Sequence, residues 1–299
     1  MTESASGATG EPASPPVCPR HPNEVAYVRC QRCNRPTCPS CQRQAAVGVQ
    51  CVDCVAESTK QAPRVTSRFG ATPRADQRPL VSWTIIGICV LLYIGQRINP
   101  AVTSELWFVP IQAGTEPWRM LTAAFIHNPN GFLHIGFNMY ALFIVGGYLE
   151  PLLGRLRFAL LYLISGLGGS VGYLLLAVPP EGWFTPTLGA SGAVFGLFGA
   201  MLVLNWHLKR QTGGVVALLL INGAIGFIIP NIAWQAHLGG AVTGAAIAGV
   251  LALTAARGRG EEAVRRRRWQ WPAYALIVLV LLGLAAWRVY AVLGTAGFA

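Results

Sequence analysis

Charge is what this 299-residue sequence has least of: Asp, Glu, Lys and Arg together make up 12% of it, and only 12 residues are acidic. That is about half the charged share of an ordinary soluble domain, which excludes a chain meant wholly for water. Also missing is an apolar core in the first 17 residues, MTESASGATGEPASPPV, so no cleavable signal peptide is read there and the stretch 1–17 is expected to be a disordered tail. What fills the chain instead is hydrophobic residues, 53% of the total. The class is a membrane protein, and the net charge of +11 is weighed first against the positive-inside bias of such proteins and only then against nucleic acid.

Apolar runs long enough to cross ~30 Å of hydrocarbon lie at about 80–98, 132–150, 158–178, 189–206, 214–230, 236–256 and 271–293. The fold class is therefore an all-α polytopic membrane protein. The last run follows a break of Arg and Glu and reads as an additional helix on a core of six, so the chain divides into a core at 80–256, a basic loop at 257–270 and a further span at 271–293. Lys60, Arg64, Arg68, Arg74 and Arg78 precede the first run; Arg155 and Arg157 follow the second, Lys209 and Arg210 the fourth, and Arg257, Arg259 and Arg265 to Arg268 the sixth. Against these stand Arg97 and Arg119 in the opposite loops, so the amino terminus is expected in the cytoplasm and the carboxyl terminus outside, in the plasma membrane if the source is bacterial. The run RRRR is a topology anchor with a compatible role on anionic lipid, and nucleic acid is not an expected partner.

Residues 18–54 form a separate unit. Cys18 and His21, Cys30 and Cys33, Cys38 and Cys41, and Cys51 and Cys54 are pairs with two residues between partners. That spacing lets both donors reach one tetrahedral Zn2+, and eight donors suffice for two closed four-ligand sites. Disulfides are the competing reading, but a cytoplasmic side is reducing and a 37-residue module without metal has almost no core. With no open ligand position, the module is structural or binds a cytoplasmic protein partner; zinc is not expected to serve catalysis. Residues 55–79 read as a flexible basic linker, and Cys89, alone in the first span, as a small packing residue.

Polar residues inside a membrane are expensive and mark function by default. The second span opens HIGFNMY, putting His134 and Asn138 four apart on one helical face. The fourth carries Ser191 in TLGASGAVFGLFGA, and the sixth opens AHLGGAVTG with His237, Gly240 and Gly244. These three spans start on the same side, so the four polar residues share a depth. A serine becomes a nucleophile when a histidine takes its proton, and the oxyanion that follows needs donors. His237 can be the base, and His134, Asn138 and the backbone N–H of Ser191 the donors. Gly189, Gly192 and Gly196 on one helix, with Gly240 and Gly244 on the other, allow hydroxyl and imidazole to meet.

Two resemblances rest on these residues. The cysteine module resembles the B-box type of zinc finger, whose pairs interleave; this implies that Cys18, His21, Cys38 and Cys41 share one ion and Cys30, Cys33, Cys51 and Cys54 the other, a pairing that spacing alone leaves open. Residues of about 80–256 resemble the rhomboid family of intramembrane serine proteases, through EPWR with Trp118 and Arg119, HIGFN, GASG and AHLGGAVTG, in the family's order. The resemblance implies cleavage of single-span membrane proteins in the bilayer by a Ser–His dyad, with Ser191 as nucleophile, His237 as base and then acid, His134 and Asn138 at the oxyanion hole, and water reaching the site from the outer face. Phe195 departs from the family, standing where many bacterial members have a tyrosine against the catalytic histidine. His127 lies seven residues before His134, a longer gap than in the best-known pattern, and is read either as a supporting histidine or as a loop residue. Trp118 and Arg119 are expected to be structural, and Glu150 to pair with Arg155. A catalytically inactive relative that binds membrane proteins is the alternative, disfavoured because Ser191 and His237 are both present. A transporter is disfavoured because the interiors of the core spans hold no acid.

Overall fold

In the computed structural model the described residues are 14–61, 67–71, 78–228, 232–256 and 260–295. Most of the expected tail, two stretches of the expected linker with Arg64 and Arg74, and Arg257 and Arg259 lie outside them. The chain forms two compact units, Met1–Arg64 and Val65–Ala299.

In the first unit, β1 (Val17–Cys18) pairs antiparallel with β2 (His21–Val25), and β3 (Gln42–Gln44) with β4 (Val49–Cys51). A helix, α1 (Val52–Gln61), closes the unit. Its buried apolar content is two small groups, Cys18, Ala26, Cys38 and Cys41, and Cys30, Cys51 and Cys54. A chain with so little apolar surface to bury does not fold on hydrophobic burial alone. The expected linker begins too early: residues 55–61 continue α1, and the Ser58 hydroxyl donates to the Cys54 carbonyl at 2.7 Å.

The second unit is helical. After α2 (Leu80–Ile98) come the short α3 (Ala101–Leu106) and α4 (Arg119–Thr122), then α5 (Phe132–Leu153), α6 (Arg155–Leu176), the short α7 (Glu181–Phe184), α8 (Ser191–His207), α9 (Gly213–Ile228), α10 (Trp234–Leu253), α11 (Glu261–Arg268) and α12 (Gln270–Thr295). Among the described residues five stretches are long and apolar enough to cross a membrane: α2, α5, α6, α10 and the run Glu261–Gly294; Ser191–His207 and Gly213–Gly226 are shorter apolar helices. Each of the seven apolar runs thus lies on a helix. At 1.5 Å per residue the 17 residues of α8 span about 26 Å, short of a ~30 Å hydrocarbon layer.

The centre of this unit is held by backbone contact. A Cβ on Gly240 would collide with the Gly192 carbonyl, and one on Gly244 with the Gly196 carbonyl. The constant offset between these pairs makes α8 and α10 parallel neighbours. Against them runs α6, where a Cβ on Gly172 would lie 2.7 Å from Gly239 Cα and one on Gly169 3.1 Å from Gly192 Cα. Where lipid removes the hydrophobic drive between helices, such close approach is what packing offers instead.

Two sequence expectations need correction. Glu150 makes no ion pair with Arg155 among the described residues; it is 2% exposed and accepts from the N–H groups of Val81 and Ser82, both at 2.9 Å, and from the Ser82 hydroxyl at 2.8 Å. A carboxylate at a helix start satisfies orphan donors and the macrodipole together, which a partner one turn away on the surface cannot match. The second concerns residues 67–71, expected in the flexible linker, which form a strap on the membrane unit. Ser67 donates to the Leu152 carbonyl at 3.1 Å, the Ala256 N–H to the Arg68 carbonyl at 3.2 Å, and Arg157 to the Gly70 carbonyl at 3.3 Å, while Phe69 is wholly buried. The seventh span is fixed at both ends: Gln270 accepts from Arg157 at 2.8 Å and donates to Thr254 at 3.0 Å, and Arg288 donates to the Ala177 carbonyl at 2.9 Å.

Candidate active site and metal centres

The first unit gathers its eight donors into two tetrads, Cys18, His21, Cys38 and Cys41, and Cys30, Cys33, Cys51 and Cys54, with the donor atoms of each within 4.8 Å of one another. All eight cysteines of the chain are free thiols. The fit to zinc can be tested on distances. At a Zn–S bond of about 2.3 Å, a tetrahedron has donor–donor edges of about 3.8 Å. Cys33 Sγ and Cys51 Sγ are 3.7 Å apart; His21 Nδ1 lies 3.9, 3.2 and 3.4 Å from the sulfurs of Cys18, Cys38 and Cys41. The donor sets, three thiols with one imidazole and four thiols, suit a soft tetrahedral ion.

In the membrane unit three helices begin close to the candidate residues: His134 is the third residue of α5, Ser191 the first of α8, and His237 the fourth of α10. The turn before Ser191 depends on Gly189, whose φ of +130° disfavours any side chain. A Cβ there would lie 2.8 Å from His134 Nε2 and 3.6 Å from Ser191 Oγ, so imidazole edge and hydroxyl flank the same bare Cα. The Asn128 N–H donates to His134 Nδ1 at 3.2 Å. With Nδ1 accepting, the neutral ring carries its proton on Nε2, the atom turned towards Gly189. Ser191 opens a helix whose N-cap, Ala190, makes no side-chain cap, so its N–H is among the unclaimed donors of a helix start.

His237 lies flat on Phe195, ring centroids 4.1 Å apart and planes 7° from parallel. Phe195 is one turn beyond Ser191, so the imidazole sits over the face of α8 that starts with the hydroxyl. Behind it is Gly226 of α9, where a Cβ would come within 3.7 Å of His237 Nδ1, and that nitrogen is buried without a partner among the described residues. Among the described residues no hydrogen bond joins Ser191 to His237; such bonds are often long before substrate arrives. Asn138 is close by but turned away: its side-chain amide donates to the His134 carbonyl at 2.8 Å.

His127 is fully buried, edge-on to His134 with centroids 5.2 Å apart, and its Nε2 accepts from the Ala190 N–H at 3.5 Å. Burial, with the neighbouring His134, pushes its pKa down to about 3, so it is neutral. It is not a loose loop residue. Sequence reasoning missed Gln96, which accepts from the His127 N–H at 3.0 Å and donates to the His127 carbonyl at 2.8 Å; an amide inside an otherwise apolar span was the available signal. Arg119 makes its bonds elsewhere: it pairs with Glu116 and Glu105 and donates to the Ser104 carbonyl, ordering the loop, while Trp118 is 55% exposed.

Residues 114–254 match the family model of the Rhomboid domain, and residues 13–45 that of the B-box zinc finger. The second match ends before Cys51 and Cys54, which the structure adds to the second tetrad. Among curated proteins the chain is similar to Rhomboid protease GluP of Bacillus subtilis (strain 168), 31% identical over 62% of this chain and 37% of that protein. It is also similar to RHOMBOID-like protein 5 of Arabidopsis thaliana, 39% identical over 46% of this chain and 45% of that one. A third relative is Inactive RHOMBOID-like protein 8 of Arabidopsis thaliana, 34% identical over 43% of this chain and 36% of that one. The chain thus spans less than half the length of these relatives.

Proposed function

We propose, from the premise that this chain carries a rhomboid domain joined to a B-box-type zinc finger, that it is an intramembrane serine endopeptidase acting on single-span membrane proteins. The observation that carries the reading is the constellation at the start of α8: His237 stacked one turn from Ser191, with His134 Nε2 beside the same glycine as the Ser191 hydroxyl. In the reaction, His237 takes the proton of Ser191 Oγ as it attacks the scissile carbonyl, then gives that proton to the leaving amine. The Ser191 N–H and the His134 Nε2–H receive the oxyanion, and Asn138 joins them once its amide turns from the His134 carbonyl. Water, reaching the site from the outer face as the resemblance implies, then hydrolyses the acyl-enzyme.

The basic-residue count supports a cytoplasmic amino terminus, an outer active site and, for a bacterial source, the plasma membrane. On that topology the tetrads hold two zinc ions, closed and structural, and the module takes a cytoplasmic protein partner. When bound, zinc holds the loops together; no part of the hydrolysis passes through it.

The test is labelling of the purified chain by a serine-reactive fluorophosphonate beside cleavage of a single-span substrate. Wild type is expected to label and cleave, and Ser191→Ala and His237→Ala to do neither while keeping their thermal transition. Loss of one oxyanion donor, as in Asn138→Ala, is expected to slow cleavage by about 10²–10³. A catalytically inactive binder is the second reading, one similar protein being named inactive. It predicts no labelling of wild type, with substrate still bound.

A further inference from the structure

Between α2 and α5 lies a groove of about 510 Å³. Val90, Ile94 and Ile98 of α2 face Ile135 and Met139 of α5 across it, and Arg97 is the one charged residue among the described residues that line it. We infer that this groove is a seat for a membrane phospholipid, one acyl chain lying between the helices and the phosphodiester held by Arg97.

Two features select this occupant. The first is size: one turn of a helix about 10 Å across fills ~400 Å³, so the groove would take little more than a single turn of a transmembrane segment, whereas a flexible acyl chain can follow its length. The second is charge. Arg97 sits in the last turn of α2, where it donates to the Pro129 carbonyl at 2.7 Å. That bond fixes the guanidinium at the end of the groove and uses one of its five N–H donors, and phosphate oxygens match the remaining fork.

The inference does not depend on Ser191 being a nucleophile. It bears on the candidate site through α5, where Ile135 and Met139 follow directly after His134 and Asn138, so a seated lipid would back the helix that carries both polar residues.

The test is native mass spectrometry of the full chain in mild detergent, titrated with dioleoylphosphatidylglycerol, with dioleoylphosphatidylcholine, and with dioleoylglycerol, which has the same chains and no phosphate. Both phospholipids are expected to bind, and dioleoylglycerol about fivefold more weakly. Arg97→Gln is expected to bring the phospholipids down to the dioleoylglycerol level. A Cβ at Gly136, in the groove wall, meets nothing within 4 Å, so Gly136→Leu can fill the groove without displacing backbone and is expected to weaken all three lipids at least tenfold. A diazirine-bearing phosphatidylglycerol is expected to label wild type in α2 or α5, a readout that does not require either variant to fold. Equal binding of dioleoylglycerol and phospholipid, unchanged binding by folded Arg97→Gln or Gly136→Leu, or labelling confined to other helices would overturn the proposal. Displacement of the label by a single-span peptide crosslinked at Ile94 would also overturn it, and would make the groove a protein-docking site.

Discussion

In the first unit, buried positions are mostly occupied by thiols that converge on two points; in the membrane unit, the closest contacts are between bare backbones of α6, α8 and α10. Neither region is held together by withdrawing apolar surface from water as a soluble domain is, but the reasons differ. The first unit has too few apolar residues, and its two tetrads are placed so that an ion can replace them with a few strong directional bonds. The membrane unit has apolar residues in excess, and because lipid is as apolar as they are, it gains from closeness instead. Cysteine in one and glycine in the other therefore do comparable work, each at positions where no other residue serves.

The sharpest way to break this comparison is to remove metal. Structural zinc supplies about 10–16 kcal/mol per site in isolated fingers, so a strong chelator or Cys33→Ser is expected to abolish amide protection in residues 14–61 while the thermal transition of the membrane unit stays in place. Elemental analysis should return two zinc ions per untreated chain. A shared transition for both units would show that they do not fold separately.

Next in size are substitutions that force the glycine helices apart or hollow the strap. Gly240→Val puts atoms where the Gly192 carbonyl lies, and a loss of about 3 kcal/mol or more is expected. Phe69→Ala empties a fully buried site and is expected to cost about 3–5 kcal/mol. Both are read from thermal denaturation in detergent. If Phe69→Ala were silent, the strap would be an ornament on the membrane unit and the boundary at Val65 would lose its meaning.

Glu150→Gln should cost less, about 1–2 kcal/mol, since the amide keeps one acceptor for the start of α2 but gives up the charge. Arg155→Gln should be neutral in the same measurement, because Glu150 is engaged elsewhere. The smallest effect is expected from Phe195→Tyr. The ring already supplies the stacking on His237, so cleavage rates should stay within severalfold of wild type; a collapse would mean the space around His237 is filled without room for one oxygen.

Much of this could be read from residues alone. An apolar run of spanning length is a local property, so helices at 80–98 and 132–150 follow from composition without knowledge of their neighbours, the second running on to Leu153 in the structure. The paired two-residue spacings announced metal for the same reason. The candidate site was legible because Ser191, His134 and His237 each sit near the start of an apolar run, where a polar side chain is costly to keep unless it is used.

Other features were settled only when distant segments met. Glu150 reaches Ser82 across 68 residues and Gln96 reaches His127 across 31, and no pattern near either residue names its partner. Residues 67–71 carry the composition of a linker, yet a single phenylalanine finding a cavity makes them part of the membrane unit. The sequence by itself determined which segments enter the membrane, which donors gather metal and which polar residues are candidates, because each of those follows from the free energy of a short stretch in its solvent. The tertiary structure decided the pairing of the tetrads, which spacing left open and the resemblance implied, and it alone decided the parallel register of α8 and α10, the stacking of His237 on Phe195 and the direction in which Asn138 points, because those depend on which surfaces fit together once the segments have formed.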